Sequence, residues 1–262
     1  MSTISEHIEI IEQVSTDALE HLLGEQWSVE RFVFCGVEKI NKIIKAAKVL
    51  YPQMQEDRDL EFSCGILLRS LLMDCILTLP IKDLSFKKGD KTFEALRADI
   101  ADYCLKVIGD GTNHLINDAF KIEGKTREEQ LKISENLANL FHGMFETEAN
   151  QKPKLKKAYK VTLASLVEDS NHEALITKDS IYQLYSFYSK YDHLSHWTSL
   201  SGKMPFSKRM DKIDISIILT LFNLRDLLSN GYDFGNNLKG LDKYCQLLQE
   251  HLNHHYSPHV EP

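Results

Sequence analysis

The sequence predicts an all-α protein, a compact bundle of about eight to ten helices in a single domain over residues 1–262. Three observations point there. Apolar residues recur at helical spacing almost throughout, no segment alternates as a strand or shows a hairpin signal, and neither a solenoid-length repeat nor a sustained heptad is present. Hydrophobic residues at 43% and charged residues at 26%, with 6 prolines and 12 glycines, are ordinary globular values.

The elements follow in order. Ile4, Ile8, Ile11, Ala18 and Leu22 mark the first helix, opened by the capping-box spacing of Thr3 and Glu6. The second runs from Ser28 through Val37, Ile40, Ile44 and Ala47 and ends near Tyr51, because Pro52 disfavours helical geometry in the residue before it. The third covers Asp59 to Leu79 and stops at Pro80, with a lysine-bearing loop, "IKDLSFKKGDK", behind it. Phe93, Leu96, Ile100, Tyr103 and Val107 form a fourth, closed by Gly109 to Gly111 as a turn, and His114 to Phe120 a short fifth.

Thr126 and Glu129 form a second capping box, opening a helix with Leu131, Leu137, Phe141 and Met144 on one side. The run "NQKPKLKKAYK" breaks the pattern and predicts a mobile basic loop near 150–158, after which "VTLASLVED" resumes as helix. A helix from Thr177 or Lys178 ends before Ser201 and Gly202. A long apolar one follows from Lys208 to Ser229, with Asn230 and Gly231 as its stop. The last, Asn236 to His255, carries Leu238, Leu241, Tyr244, Leu248 and Leu252, and the His-rich tail 251–262 is expected to fray.

Charge and cysteine usage limit the function. A net charge of −7 argues against unspecific nucleic-acid or anionic-membrane binding, which rests on excess lysine and arginine. The five cysteines are scattered among apolar residues, with no CxxC, as reduced thiols are. The N-terminus has no apolar signal core, and the two most apolar stretches carry internal Arg and Asp and fall short of a clean span of about 20 apolar residues, so the expectation is a cytoplasmic protein without a membrane anchor. No phosphate loop, dinucleotide fingerprint, HExxH, paired ExxH or GxSxG occurs, and no cofactor is named by the sequence.

One candidate site remains. In "YSKYDHLSHW" a helical wheel puts Leu184, Phe187, Tyr191 and Leu194 on the core side and Tyr182, Tyr185, Ser186, Ser189, Asp192, His193 and His196 on the other. Asp192 and His196 at i, i+4 suit a carboxylate that orients an imidazole base. The third helix is apolar at nearly every azimuth, so its Arg69 and Asp74 must be paired or face a cavity. They lie about 140° apart on the wheel. Gly65, one turn before Arg69, leaves space for a close neighbour or a ligand.

An interior ion-pair network of Asp74 with Arg225, and of Arg69 with Asp192 or Asp226, is the structural expectation. The functional one is a cleft with Arg69, Asp192, His193 and His196 as catalytic candidates and Tyr182, Tyr185, Ser189 and Asp74 as ligand contacts. No metal ligands are assigned: His251 and His255 share a helical face with no acidic or cysteine ligand beside them, and adventitious exposure is the simpler account.

The pair "ILLRSLLMDCILTL" and "YSKYDHLSHWTS" resembles a loose group of uncharacterised bacterial all-helical proteins, over Arg31 to Leu228. In that group an arginine-bearing buried helix accompanies a later Tyr/Ser-rich helix containing histidine. The resemblance implies a bacterial cytosolic helical protein, sometimes of defence or accessory gene clusters, with Arg69, Asp192 and His193 as its positions of interest. Helical ribonucleases of prokaryotic conflict systems place an arginine four to six residues before a histidine, and Arg69 has no histidine at that distance.

Two functions follow as expectations. The first is a binding or regulatory module acting through protein contacts, with a protein partner or a second copy of itself. The second is a hydrolase or nuclease-like enzyme acting on an anionic substrate.

Overall fold

The computed structural model describes residues 3–22, 28–86, 91–141, 143–148, 150–162, 166, 178–189, 204–235 and 238–256. Eight α-helices are present among them: α1 (Thr3–His21), α2 (Val29–Gln53), α3 (Leu60–Phe86), α4 (Phe93–Ala119), α5 (Arg127–Asn139), α6 (Lys178–Ser189), α7 (Phe206–Phe234) and α8 (Asp242–Tyr256). The all-α bundle is therefore what the chain forms.

Helices α3 and α7 are the inner pair, packed on each other and surrounded by α1, α2, α6 and α8. Burying Leu68, Leu71, Leu72 and Ile76 of α3 against Ile213, Ile217, Leu224 and Leu228 of α7 leaves each at 0% exposure, worth about 1.5–3 kcal/mol per side chain. The pair also encloses charge: Arg209 of α7 donates from Nε to Glu61 of α3, which is fully buried, and from Nη1 to the Met204 carbonyl. Around them, Asn41 of α2 donates to the hydroxyls of Ser15 and Thr16 on α1 at 2.9 and 2.7 Å, and Tyr51 of α2 donates to Asp214 of α7 at 2.8 Å. Arg97 of α4 donates to the Phe234 carbonyl at 3.0 Å, satisfying an orphan acceptor at the end of α7.

Several helix ends differ from the sequence expectation, each for a tertiary reason. Pro80 does not stop α3, which continues to Phe86 through most of the expected lysine-bearing loop. The Pro80 ring disturbs the turn before it, where the Tyr103 hydroxyl donates to the neighbouring carbonyl, Leu77 O, at 2.8 Å. Pro52 likewise sits inside the last turn of α2. Gly109 to Gly111 is helix, making α4 one continuous rod, because Gly109 is a contact point: an added Cβ there would lie 2.8 Å from Met144 Sδ. Asn230 and Gly231 lie within α7, where a Cβ on Gly231 would meet Leu241 at 3.0 Å and Val33 at 3.3 Å.

The expected basic loop carries structure as well. Phe145 and Glu146 (β1) pair antiparallel with Leu155 and Lys154 (β2), and a 3₁₀ turn over Lys157–Tyr159 follows. This hairpin closes a second apolar cluster of Ile116, Ala138, Phe141, Met144, Phe145 and Leu155 against α4 and α5. The Thr126/Glu129 capping box is formed. The last helix starts later than expected, at Asp242 behind a 3₁₀ turn over Lys239–Leu241, and holds 251–256 in helix. In length and composition Leu60–Leu84 reaches a membrane-span hydropathy of 1.8, half of that stretch being buried in the bundle. A core helix meets the same criterion.

Candidate functional site

The predicted site residues divide between two sides of α3. Arg69 faces α6, its guanidinium 6.0 Å from the Tyr185 ring centroid, and Tyr185 stacks with Tyr182 at 6.4 Å. Ser189 donates to the Ser186 carbonyl at 2.9 Å, and Tyr182 is 38% exposed. Asp192, His193 and His196 lie outside the described residues. Asp74, five residues after Arg69, turns instead toward α2, as the wheel requires.

Of the predicted core face of α6, Leu184 and Phe187 pack against the core and Tyr191 and Leu194 lie outside the described residues, but the deepest positions are others. Ile181 (2% exposed) and Tyr188 (0%) are its deepest residues, with Leu184, Tyr185 and Phe187 half-buried. The reason is Gly65. A Cβ added there would lie 2.5 Å from Tyr188 Cε1 and 2.6 Å from Cδ1, so the glycine gap holds this ring. The space that the sequence offered to a ligand or a neighbour is taken by a neighbour.

The predicted pair of Asp74 with Arg225 is corrected too, while Asp192, an expected partner of Arg69, lies outside the described residues. Asp74 Oδ1 accepts from Lys39 Nζ at 2.8 Å, not from Arg225. Arg225 turns outward to adjacent Asp226 at 2.7 Å and to Gln249 of α8 at 3.4 Å, and Lys82 also reaches Asp226 at 3.5 Å.

Asp74 lines a cleft of about 430 Å³ enclosed by α2, α3, α4 and α5. Two glycines shape it. Gly36 lets α2 approach Leu227, whose Cδ1 would lie 2.9 Å from an added Cβ, while Gly111 of α4 has open space where its Cβ would be. The walls are chiefly apolar, with Phe32, Leu77, Val107, Ile108 and Phe141 among them. The hydroxyls of Thr78 and Thr112 are spent on their own helices, donating to Asp74 O at 2.9 Å and Ile108 O at 3.0 Å.

One polar atom stands apart. Asp74 Oδ2 is buried and accepts no hydrogen bond among the described residues, although Oδ1 is held by Lys39. Burial pushes the Asp74 carboxyl above its usual range, opposed by the charge and hydrogen bond of Lys39. Cys35, an exposed residue on the same wall, has its thiol pushed up by partial burial against the opposing pull of Arg31. A thiol held protonated is a poor nucleophile.

A chiefly apolar hollow of this size with one unmet carboxylate oxygen suits binding of an apolar body that carries a single donor. The sequence pointed to Asp74 but not to the cleft, because its other walls come from α2, α4 and α5, which show no local signal of meeting there. No family model, curated protein or solved structure matches the chain.

Proposed function

We propose that this chain is a binding or regulatory module whose α2–α3–α4–α5 cleft takes a small, mostly apolar molecule with one hydrogen-bond donor. The carrying observation is Asp74, which lines the chiefly apolar cleft and whose buried Oδ2 meets no donor among the described residues. An unmet buried acceptor costs about 1–3 kcal/mol, which a ligand donor recovers on binding. Leu115 and Leu140, 57% and 53% exposed, stand among the cleft residues and offer an apolar surface on which a protein partner reads the occupied state.

The test uses 1-octanol and its methyl ether, which differ by the donor. NMR on the full chain should show octanol perturbing Val107, Ile108 and Leu115 and binding about tenfold or more tighter than the ether, the value of a hydrogen bond to a charged group. Asp74→Leu should abolish that difference. Equal affinity of the two compounds, or perturbation elsewhere, refutes the reading.

A second reading keeps one observation in its favour: Arg69 lies against α6, directly before the segment that contains Asp192, His193 and His196. It makes the protein a hydrolase or nuclease-like enzyme on an anionic substrate. Hydrolysis of bis(p-nitrophenyl) phosphate, lost in His193→Ala and Arg69→Ala with the fold retained, tests it.

A further inference from the structure

The two ends of the chain meet through histidine. His7 lies on the buried face of α1 and has no solvent exposure, while His251 and His255 are half-buried and one turn apart on α8. Residues at i and i+4 project from the same helical face, so both rings address α1 together. The His7 ring centroid is 5.0 Å from each of theirs, and theirs are 4.5 Å apart. One ring nitrogen from each of the three lies within 4.8 Å of the others.

From this convergence we propose that His7, His251 and His255 bind a zinc ion that clips the first helix to the last. Zinc takes imidazole nitrogen at about 2.0–2.1 Å in a tetrahedron, so its ligand atoms stand about 3.3–3.4 Å apart. His7 Nδ1 and His251 Nε2, now 2.8 Å apart, need to open by about half an ångström, and the widest pair needs to close by about 1.5 Å. Rotation about the side-chain bonds of the two half-buried rings covers both.

The surroundings fit a metal ligand set. His7 Nε2 is 2.7 Å from the Tyr256 hydroxyl. With Nε2–H donating there, Nδ1 presents its lone pair to the other two rings, the tautomer and second contact that metal-bound imidazoles have. Glu6 Oε2 lies 3.4 Å from His255 Nε2 and outside the three-imidazole cluster, an acceptor beside the site, and the fourth position falls to water. Burial, and then the two neighbouring histidines, hold His7 down to about 4, so it is neutral at physiological pH. Three imidazoles suit zinc and not magnesium or calcium, which take oxygen ligands.

His7 and His251 are 244 residues apart. The sequence therefore showed only the i, i+4 half of the set, inside a histidine-rich tail where such spacing is cheap. The buried third ring separates this site from a chance tail chelate. His254, exposed and beside His255, and His259 serve as controls.

Full-length protein stripped with EDTA is titrated with zinc by calorimetry, and its melting temperature is read with zinc and with magnesium. The expected result is one zinc per chain, a rise in melting temperature with zinc alone, and a tetrahedral cobalt(II) visible band on substitution. His251→Gln with His255→Gln should weaken binding by at least about tenfold and remove the rise. His254→Gln with His259→Gln should leave both intact. His251 and His255 are less buried than His7, and circular dichroism of the double variant is expected to match the parent, so that lost zinc binding is read on a folded protein. The proposal is overturned by absence of stoichiometric zinc, by undiminished binding in the first double variant, by loss in the second, or by an equal response to magnesium.

Discussion

Replacing Gly65 by alanine tests how α6 docks on α3. The new methyl carbon would stand 2.5 and 2.6 Å from two carbons of the Tyr188 ring. Ordinary carbon contacts are about 3.5–4.0 Å, so the ring must retreat by about 1 Å. Tyr188 has no exposed surface and packs edge-on against Phe187 with 5.3 Å between centroids, so the retreat disturbs a closed core. Overpacking of this kind costs about 1–3 kcal/mol. Alanine returns about 1 kcal/mol of helix propensity over glycine.

The balance is a loss of about 0–2 kcal/mol, or a fall of up to about 8 °C in melting temperature for a chain of this size. Thermal unfolding followed by circular dichroism measures it. In a Tyr188→Leu background the obstacle is gone and the same substitution should cost nothing or stabilise, a coupling of about 1 kcal/mol or more in a double-mutant cycle. Absence of coupling between Gly65→Ala and Tyr188→Leu refutes the docking of Tyr188 into the glycine gap.

Three further outcomes are expected. Glu61→Ala strands the Arg209 guanidinium in the core and should cost about 3–5 kcal/mol in urea unfolding, whereas Lys42→Ala, which breaks a surface pair with Glu38, should cost under about 1 kcal/mol; equal costs would contradict the buried pair. Because the folded-state carboxyl of Asp74 is raised above 3.8, the native state binds a proton more readily than the unfolded one. Its contribution to stability should therefore grow as pH falls through the raised value and level off below 3.8. Asp74→Asn flattens that part of the stability–pH curve, and an unchanged slope would assign it to other groups. With a thiol reagent at neutral pH, exposed Cys35 should react first, and Cys64, Cys75 and Cys104 only on unfolding, since burial raises all three thiols and shields them; early labelling of Cys75 would count against the core.

Much of the architecture was legible in the chain because helices are local. The Thr126/Glu129 cap and the enclosure of the two greasy helices follow from spacing within a few residues. The errors fell where a distant contact overrode a local rule. Pro80 passes because Tyr103 serves the turn it disturbs, and Gly109 and Gly231 stay helical because other elements press on them. The site was half legible. Asp74 stood out as a charge on an apolar helix, but Lys39 as its partner, and the buried face of α6 set by Tyr188, depended on elements far along the chain.

The sequence by itself determined the helical class, the identity of the inner pair and the reduced state expected of the thiols, because each rests on composition and short-range periodicity. Only the tertiary structure decided which side of α3 each charge faces, that a cleft opens between α2 and α4, and that an imidazole near the start of the chain meets two near its end. Convergence of residues 244 positions apart leaves no trace in local spacing, since it depends on the order in which whole helices pack and not on any one of them.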